Sequence, residues 1–171
     1  MFVAAIFWHW ALVTQVRIGT RQMNIKLTPP SADTSSWNIA SGEYEGMPRI
    51  IRYRPDLESY LGDSNYPKRL VIIWDYETDN TSGLPSDQLS DDMRVFEDTI
   101  VGVLDPDRLA VLTFVLTHAG SREWHYYVND IQEVGNRINT ALSVFPKLPL
   151  HLQVENDQNW EQLRAVYHMC K

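Results

Sequence analysis

Cysteine is almost absent from this chain of 171 residues, since Cys170 is its only example. One thiol next to the last residue allows neither an internal disulfide framework nor a thiolate metal cage. The fold must therefore rest on a hydrophobic core, and this cysteine usage indicates a reducing compartment, which we take to be the cytoplasm.

Positive charge is also scarce: 15 Lys and Arg stand against 22 Asp and Glu, giving a formal net charge of −7 at pH 7. Nucleic-acid binding needs a basic stripe that neutralises phosphates, so the composition disfavours this class. An acidic chain suits a basic protein partner, because opposite charge accelerates association. The length and the 44% hydrophobic content fit one ordinary globular domain.

Motifs for nucleophilic and nucleotide chemistry are missing as well. The chain has no GxSxG, GxGxxG or P-loop pattern, so we expect no cofactor and no nucleophilic enzyme. One enzymatic alternative stays open, a small metal-dependent hydrolase that uses His118, Glu123 and His125, with the two histidines facing each other across a hairpin. No HxH or HExxH pattern supplies a further ligand, so a structural role without metal is favoured.

The first 22 residues differ from the rest of the chain. Residues 2–13 are apolar except for His9, and Arg17 and Arg21 follow them. The run is shorter than the roughly 20 residues that span a bilayer, and its basic residues come after it, unlike those of a signal peptide. We interpret residues 1–22 as an appendage outside the domain, leaving open a signal, an anchor or an upstream extension. Residues 23–36 are predicted to be a linker and 37–171 a single α+β domain.

Hydrophobic periodicity predicts the order β-α-β-β-α-β from residue 69 onward, followed by a short helix. The expected strands are 69–76, 109–118, 122–128 and 150–155, and residues 54–67 are expected to be an irregular connection. The first expected helix has an apolar stripe from Leu89 through Met93, Phe96 and Ile100 to Leu104, the second has one from Ile131 to Phe145, and a short third helix covers 160–168. A hairpin of residues 37–44 and 48–53 precedes them. The pattern predicts a ferredoxin-like split βαβ fold: an antiparallel sheet with two helices on one face, an added N-terminal β-hairpin and a short C-terminal helix.

An acidic stretch joins the first long strand to the first helix. It contains no Lys or Arg, and its carboxylates are Glu77, Asp79, Asp87, Asp91 and Asp92. Long polar loops in compact domains often carry function, so we expect these residues to bind a partner. The alternative is a solvated loop that only adds solubility.

Alternation along residues 122–128 separates two sets of side chains. One face receives Glu123, His125 and Tyr127, and the other receives Arg122, Trp124 and Tyr126. A sheet face with Trp124 and Tyr126 exposed would stack RNA bases, which is a further functional alternative. The competing expectation is that these aromatics pack under the N-terminal hairpin or the terminal helix.

Several short sequence motifs, called strings below, are more specific than the hydrophobic pattern of a strand or a helix. They are Tyr44-x-Gly46-x-Pro48 before Arg49-Ile50-Ile51-Arg52, Tyr66-Pro67, Gly83-Leu84-Pro85, Met93-x-x-Phe96-Glu97-Asp98, Gly120-x-Arg122-Glu123-Trp124-His125-x-Tyr127, and Asp157-x-x-Trp160-x-x-Leu163. Over residues 37–167 they resemble a bacterial family known as domain of unknown function 695. The string around Trp124 is the most specific of them.

That family is similar in turn to the regulator of ribonuclease activity B, a small acidic α/β protein that inhibits an endoribonuclease by binding it. The resemblance implies a non-catalytic binding module and supplies no catalytic residues. We therefore expect an acidic protein-binding domain, an inhibitor or immunity protein that neutralises a nuclease or another basic toxin. The motif residues are expected to be architectural; they are Phe96, Glu97, Asp98, Arg122, Glu123, Trp124, His125, Tyr127 and Trp160.

Overall fold

The computed structural model describes residues 28–78 and 82–170. The predictions for residues 1–22 and for the first part of the linker lie outside the described residues. The strands are β1 (Asn38–Tyr44), β2 (Met47–Tyr53), β3 (Lys68–Asp75), β4 (Ala110–His118), β5 (Ser121–Val128) and β6 (Leu150–Asn156). The helices are α1 (Asp87–Leu104), α2 (Ile131–Leu142) and α3 (Glu161–Met169), with a 3-10 helix at Pro55–Tyr60.

The six described strands form one sheet in the order β1-β2-β4-β5-β3-β6, and every neighbouring pair is antiparallel. The α+β class and the antiparallel sheet are thus confirmed. The β1–β2 hairpin extends the sheet by pairing with β4, as predicted. Its turn residues Glu45 and Gly46 both have positive φ, at 52° and 76°, which matches the twist of a two-residue hairpin.

Helices α1 and α2 pack against one face of the sheet. The hydroxyl of Ser86 caps α1 by accepting a hydrogen bond from the backbone N–H of Leu89. The predicted apolar stripe is buried along α1, and it includes Met93, Phe96, Ile100 and Leu104. These side chains meet the inward residues of β3, β4 and β5 and form the larger part of the core.

The other face of the sheet is covered by α3 and the 3-10 helix. Trp160 is fully buried there, and its ring stacks on Tyr127 with 4.2 Å between centroids. Its indole N–H donates to the carbonyl of Tyr66. Because helices lie on both faces, Leu70, Val71 and Ile72 of β3 are all buried, which explains the unbroken apolar run of that strand.

Residues 28–36 of the predicted linker pack against the domain. The carboxylate of Asp105 accepts hydrogen bonds from the hydroxyl of Ser31 and the N–H of Ala32. The carbonyl of Pro30 accepts a hydrogen bond from the fully buried guanidinium of Arg54. This part of the linker therefore satisfies polar groups of the core.

Two local details differ from the sequence-based prediction. Residues 55–60, expected to be an irregular connection, form a 3-10 helix with Leu57 buried. Helix α2 ends at Leu142 and does not include Phe145. Its last turn tightens, since the N–H of Ser143 bonds to Thr140 O and that of Phe145 to Leu142 O.

Candidate functional site

The described carboxylates of the predicted partner site are exposed. Asp87, Asp91 and Asp92 lie on the first two turns of α1, and Glu77 follows β3. Asp79 lies outside the described residues. We call Glu77, Asp87, Asp91 and Asp92 the acidic surface. Asp87 lies in the first turn of α1, where the positive end of the helix dipole stabilises an anion.

A shallow cavity of about 520 Å³ adjoins the acidic surface at Glu77. Its other lining residues are Trp74, Asp75, Tyr76 and Pro149. The Tyr76 hydroxyl donates to Gly83 O, and its backbone N–H donates to Gly120 O, so the aromatic wall is held in place. Aromatic rings beside carboxylates provide the chemistry that binds a cationic side chain.

The consecutive acidic residues Glu97 and Asp98 have different surroundings. Glu97 points inward, where its carboxylate accepts hydrogen bonds from Arg52 and from the indole N–H of Trp124, the latter at 2.8 Å. The Arg52 guanidinium also lies 4.5 Å from the ring centroid of Trp37. Asp98 points to solvent and lies 3.6 Å from Arg94. Helical geometry separates the two, because consecutive residues are about 100° apart around the axis.

Arg122 borders a cleft of about 390 Å³ between α1 and strands β1, β2, β4 and β5 of the sheet. We call this the Arg122 cleft. The Nε of Arg122 donates to the hydroxyl of Thr117 at 3.0 Å. No Asp or Glu among the described residues forms an ion pair with it. Burial lowers the pKa of Arg122 below its usual range, although the nearby Tyr76 and Glu97 act in the opposite direction.

His125 is the centre of a polar network on the opposite face of the sheet. Its Nδ1 lies 2.9 Å from Nη1 of Arg69, and its Nε2 lies 3.0 Å from a carboxylate oxygen of Glu123. Arginine only donates, so Nδ1 accepts and the proton sits on Nε2. The imidazole also stacks on Phe114 with 3.9 Å between centroids. We call Arg69, Glu123, His125 and Glu155 the His125 network, since Arg69 also donates to Glu155.

The network shifts the pKa values of its members. Burial lowers the pKa of His125, and the hydrogen bond to Glu123 only partly offsets it. The same hydrogen bond lowers the pKa of Glu123, assisted by the charges of His125, Arg69 and Arg49. The arrangement therefore favours a neutral imidazole beside an ionised carboxylate.

His118 does not face His125, so the expected juxtaposition across the hairpin is wrong. The two-residue turn at Ala119 and Gly120 sets the register, pairing His118 with Ser121 and Phe114 with His125. The Nδ1 of His118 lies 3.1 Å from the carbonyl oxygen of Pro48, which accepts a hydrogen bond from it. Within residues 28–78 and 82–170, no group of three or more His, Cys, Asp or Glu side chains could hold a metal ion.

The proposed aromatic platform for RNA is not available on this sheet. Trp124 and Tyr126 do share a face, but they are 0% and 1% exposed. They lie under the packed helices, with Phe96 of α1 at 4.9 Å from Trp124 between ring centroids. The expected cover, the N-terminal hairpin or terminal helix, is therefore also wrong. This face is covered by α1, which connects β3 to β4, and by α2, which connects β5 to β6.

The remaining motif residues hold α3 against the sheet. The Tyr127 hydroxyl donates to Asp157 at 2.5 Å, and Asp157 also accepts from the backbone N–H groups of Glu161 and Gln162. Asp157 thus caps α3 while binding β5, and Trp160 packs beside it. These contacts connect the sequence string around Trp124, which includes Tyr127, with the string from Asp157 to Leu163.

Sequence reasoning missed the arginines that complete these networks. Arg52 pairs with Glu97, Arg69 with His125 and Glu155, and the buried Arg54 with backbone carbonyls. One signal was present: a charged residue inside an otherwise apolar strand normally needs a partner. The identity of that partner depends on the order of the strands.

The described part of the chain is an α+β domain with one six-stranded antiparallel sheet and helices on both faces. Residues 35–165 match the sequence family described as Family of unknown function (DUF695). The chain belongs to this family, as its local strings indicated. No curated protein and no solved structure matches it significantly. Within the described residues, no helix is long and apolar enough to cross a membrane.

Proposed function

We propose that this chain is a non-catalytic protein-binding domain whose acidic surface binds a basic protein. It would act in the cytoplasm as an inhibitor or immunity protein that neutralises a nuclease or another basic toxin. The observation that carries the proposal is the acidic surface itself. Its four carboxylates are exposed, and among the described ion pairs only Asp91 has a cation near it, Arg94 at 3.7 Å.

The distribution of the other charges supports this reading. Most described arginines are already paired with carboxylates of the same chain, so they do not balance the acidic surface. These pairs are Arg52–Glu97, Arg54–Asp56, Arg69–Glu155, Arg108–Asp105 and Arg137–Asp107. The remaining negative charge therefore stays on exposed side chains, where it can steer a cationic partner.

The shallow cavity beside Glu77 gives the partner an anchor. A lysine or arginine side chain placed there would meet the carboxylates of Asp75 and Glu77 and the ring of Tyr76. Cation–aromatic contact adds to charge attraction when both are available. The proposal therefore places a basic side chain of the partner in this cavity and the surrounding basic surface over α1.

The connectivity is consistent with a ferredoxin-like domain, which we propose as the fold type. Strands β6-β3-β5-β4 are neighbours in that order, with α1 between β3 and β4 in sequence and α2 between β5 and β6. On this view β1 and β2 are an addition at one edge. The proposed inhibitory role follows the similarity that we expect between this family and the regulator of ribonuclease activity B.

The proposal is tested by capturing a partner on the full chain and measuring its association kinetics. The test variant carries Asp87→Asn, Asp91→Asn and Asp92→Asn. The matched control carries Glu43→Gln, Glu45→Gln and Glu161→Gln, which remove the same charge from exposed positions elsewhere.

We expect the test variant to associate more slowly and to show a flatter dependence of the rate on salt. The control should change little, because charges are screened beyond about 10 Å at 0.1 M ionic strength. Equal effects of both variants, or unchanged association of the test variant, would remove the acidic surface from the interface.

A further inference from the structure

The Arg122 cleft has walls of opposite character. One wall is apolar and belongs to the sheet, with Ile39, Ile50 and Val115. The other belongs to α1 and is polar, with Ser90 and Asp98 among its residues. The cleft exists because the β1–β2 hairpin extends the sheet past the side of α1. Its volume of about 390 Å³ is in the range of small-ligand sites, roughly 300–1,000 Å³.

The charges in the cleft leave Arg122 without a counter-ion. Both oxygens of Glu97 are used, one by Arg52 and the other by Trp124. Asp98 pairs with Arg94 at the outer rim. The cleft therefore contains three guanidinium groups and two carboxylates, and the unmatched positive charge is that of Arg122.

The geometry of Arg122 makes this charge directional. Its Nε is fixed by the hydroxyl of Thr117. Its two terminal nitrogens form no hydrogen bond with the described residues, and neither is a fully buried unsatisfied atom. A guanidinium held in this way presents a planar pair of donors, which matches the two oxygens of a carboxylate.

We propose that the Arg122 cleft binds the carboxylate of a monoanionic ligand with a short apolar body. Arg122 would hold the carboxylate, and Ile50 and Val115 would contact the apolar part. Glu97 and Asp98 disfavour a second negative charge on the ligand, so a carboxylate fits better than a phosphate dianion. Such a group occurs both in free carboxylic acids and at the C-terminus of a peptide. This site is separate from the cation-binding role proposed for the acidic surface.

The test is an NMR titration of the isotope-labelled full chain with four probes at equal ionic strength. The probes are 4-methylpentanoate, N-acetyl-leucine, neutral N-acetyl-leucinamide and inorganic phosphate. We expect at least one carboxylate to shift the amide signals of Thr117 and Arg122, while the neutral amide does not. Tight binding of 4-methylpentanoate would identify a free acid, whereas a preference for N-acetyl-leucine would identify a peptide C-terminus.

Three variants decide whether Arg122 carries the binding. Arg122→Gln should weaken the carboxylate affinity about tenfold or more, a loss of roughly 1.4 kcal/mol. Arg122→Lys keeps the charge without the paired donors and should give an intermediate loss, which also guards against misfolding of the first variant. Lys147→Gln is the control: it removes one positive charge from an exposed position that does not line the cleft, so it should change the affinity less than about twofold.

The proposal is overturned by any of three results. The first is that neither carboxylate shifts the amide signals of the cleft. The second is that phosphate or the neutral amide binds as tightly as the carboxylates. The third is that a folded Arg122→Gln variant binds the carboxylates as tightly as the wild type does. If Arg122→Gln fails to fold, wild-type affinity in Arg122→Lys overturns the paired-donor geometry.

Discussion

Arg69 donates a hydrogen bond to Nδ1 of His125 across 2.9 Å, although the two residues are 56 positions apart in the sequence. Burial disfavours the charged imidazole, and this contact adds to that effect, because protonation of Nδ1 would place two donors against each other. The chain thus uses a histidine as a buried acceptor at Nδ1, while Glu123 accepts a hydrogen bond from the N–H at Nε2.

A first prediction concerns the pH dependence of stability. The pKa of His125 is lowered in the folded state, so between its ordinary value of about 6.5 and the lowered value the unfolded chain binds more protons. The contribution of neutral His125 to the free energy of unfolding is fully present above about pH 6.5. It is lost as the pH falls, by at most about 1.4 kcal/mol per pH unit. Denaturant unfolding between about pH 5 and pH 7 measures this loss.

His125→Gln should flatten the dependence in that window, whereas His168→Gln, at an exposed position in the last turn of α3, should leave it unchanged. The same pH slope in wild type and His125→Gln would show that another group causes it.

A second prediction concerns the stability contribution of His125 at neutral pH. His125→Ala removes the acceptor of Arg69 and the ring stacked on Phe114, so the free energy of unfolding should fall by about 1–3 kcal/mol. Metal analysis of the purified proteins is the companion measurement. Stoichiometric zinc in the wild type that is lost in His125→Ala would replace the structural interpretation with a metal site.

A third prediction compares the neighbours Glu97 and Asp98. Glu97→Gln takes the counter-charge from Arg52 and should reduce the free energy of unfolding by about 1–2 kcal/mol, since hydrogen bonds to charged groups are the stronger ones. Asp98→Asn removes the same charge at the next position. It should reduce the free energy of unfolding by less than about 0.5 kcal/mol, because the ion pair of Asp98 with Arg94 is exposed. Similar losses in chemical denaturation for both variants would argue against the inward role of Glu97.

A fourth prediction concerns the N-terminal boundary of the domain. A chain that begins at Met23 should unfold cooperatively with a Tm within about 3 °C of the full chain, because the described sheet lies between Asn38 and Asn156. The comparison is a chain that begins at Trp37, which lacks the contacts of Ser31 with Asp105 and of Pro30 with Arg54.

The chain beginning at Trp37 should lose about 1–3 kcal/mol, because Arg54 loses the acceptor at Pro30 and Asp105 loses the donors at Ser31 and Ala32. Loss of the cooperative transition already in the chain beginning at Met23 would assign residues 1–22 to the domain.

Much of the fold was predictable because its signals are local. Alternation correctly separated Glu123 and His125 from Arg122 and Trp124, since side chains in a strand alternate between faces. The apolar stripe from Met93 to Leu104 identified α1 in the same way. The left-handed φ of 58° at Trp160 carried no such signal, because tertiary contacts of its ring stabilise it, namely the stacking on Tyr127 and the hydrogen bond to Tyr66.

The sequence by itself determined the number and order of the described strands and α-helices, because periods of 2 and 3.6 residues are read over short windows. It also determined the acidic excess and the family. Only the tertiary structure decided which charges meet. Arg52 reaches Glu97 and Arg69 reaches His125 because strand order and register bring residues 45 and 56 positions apart together. The same order leaves Arg122 without a carboxylate partner in the described structure, since the nearby carboxylates are taken by other donors.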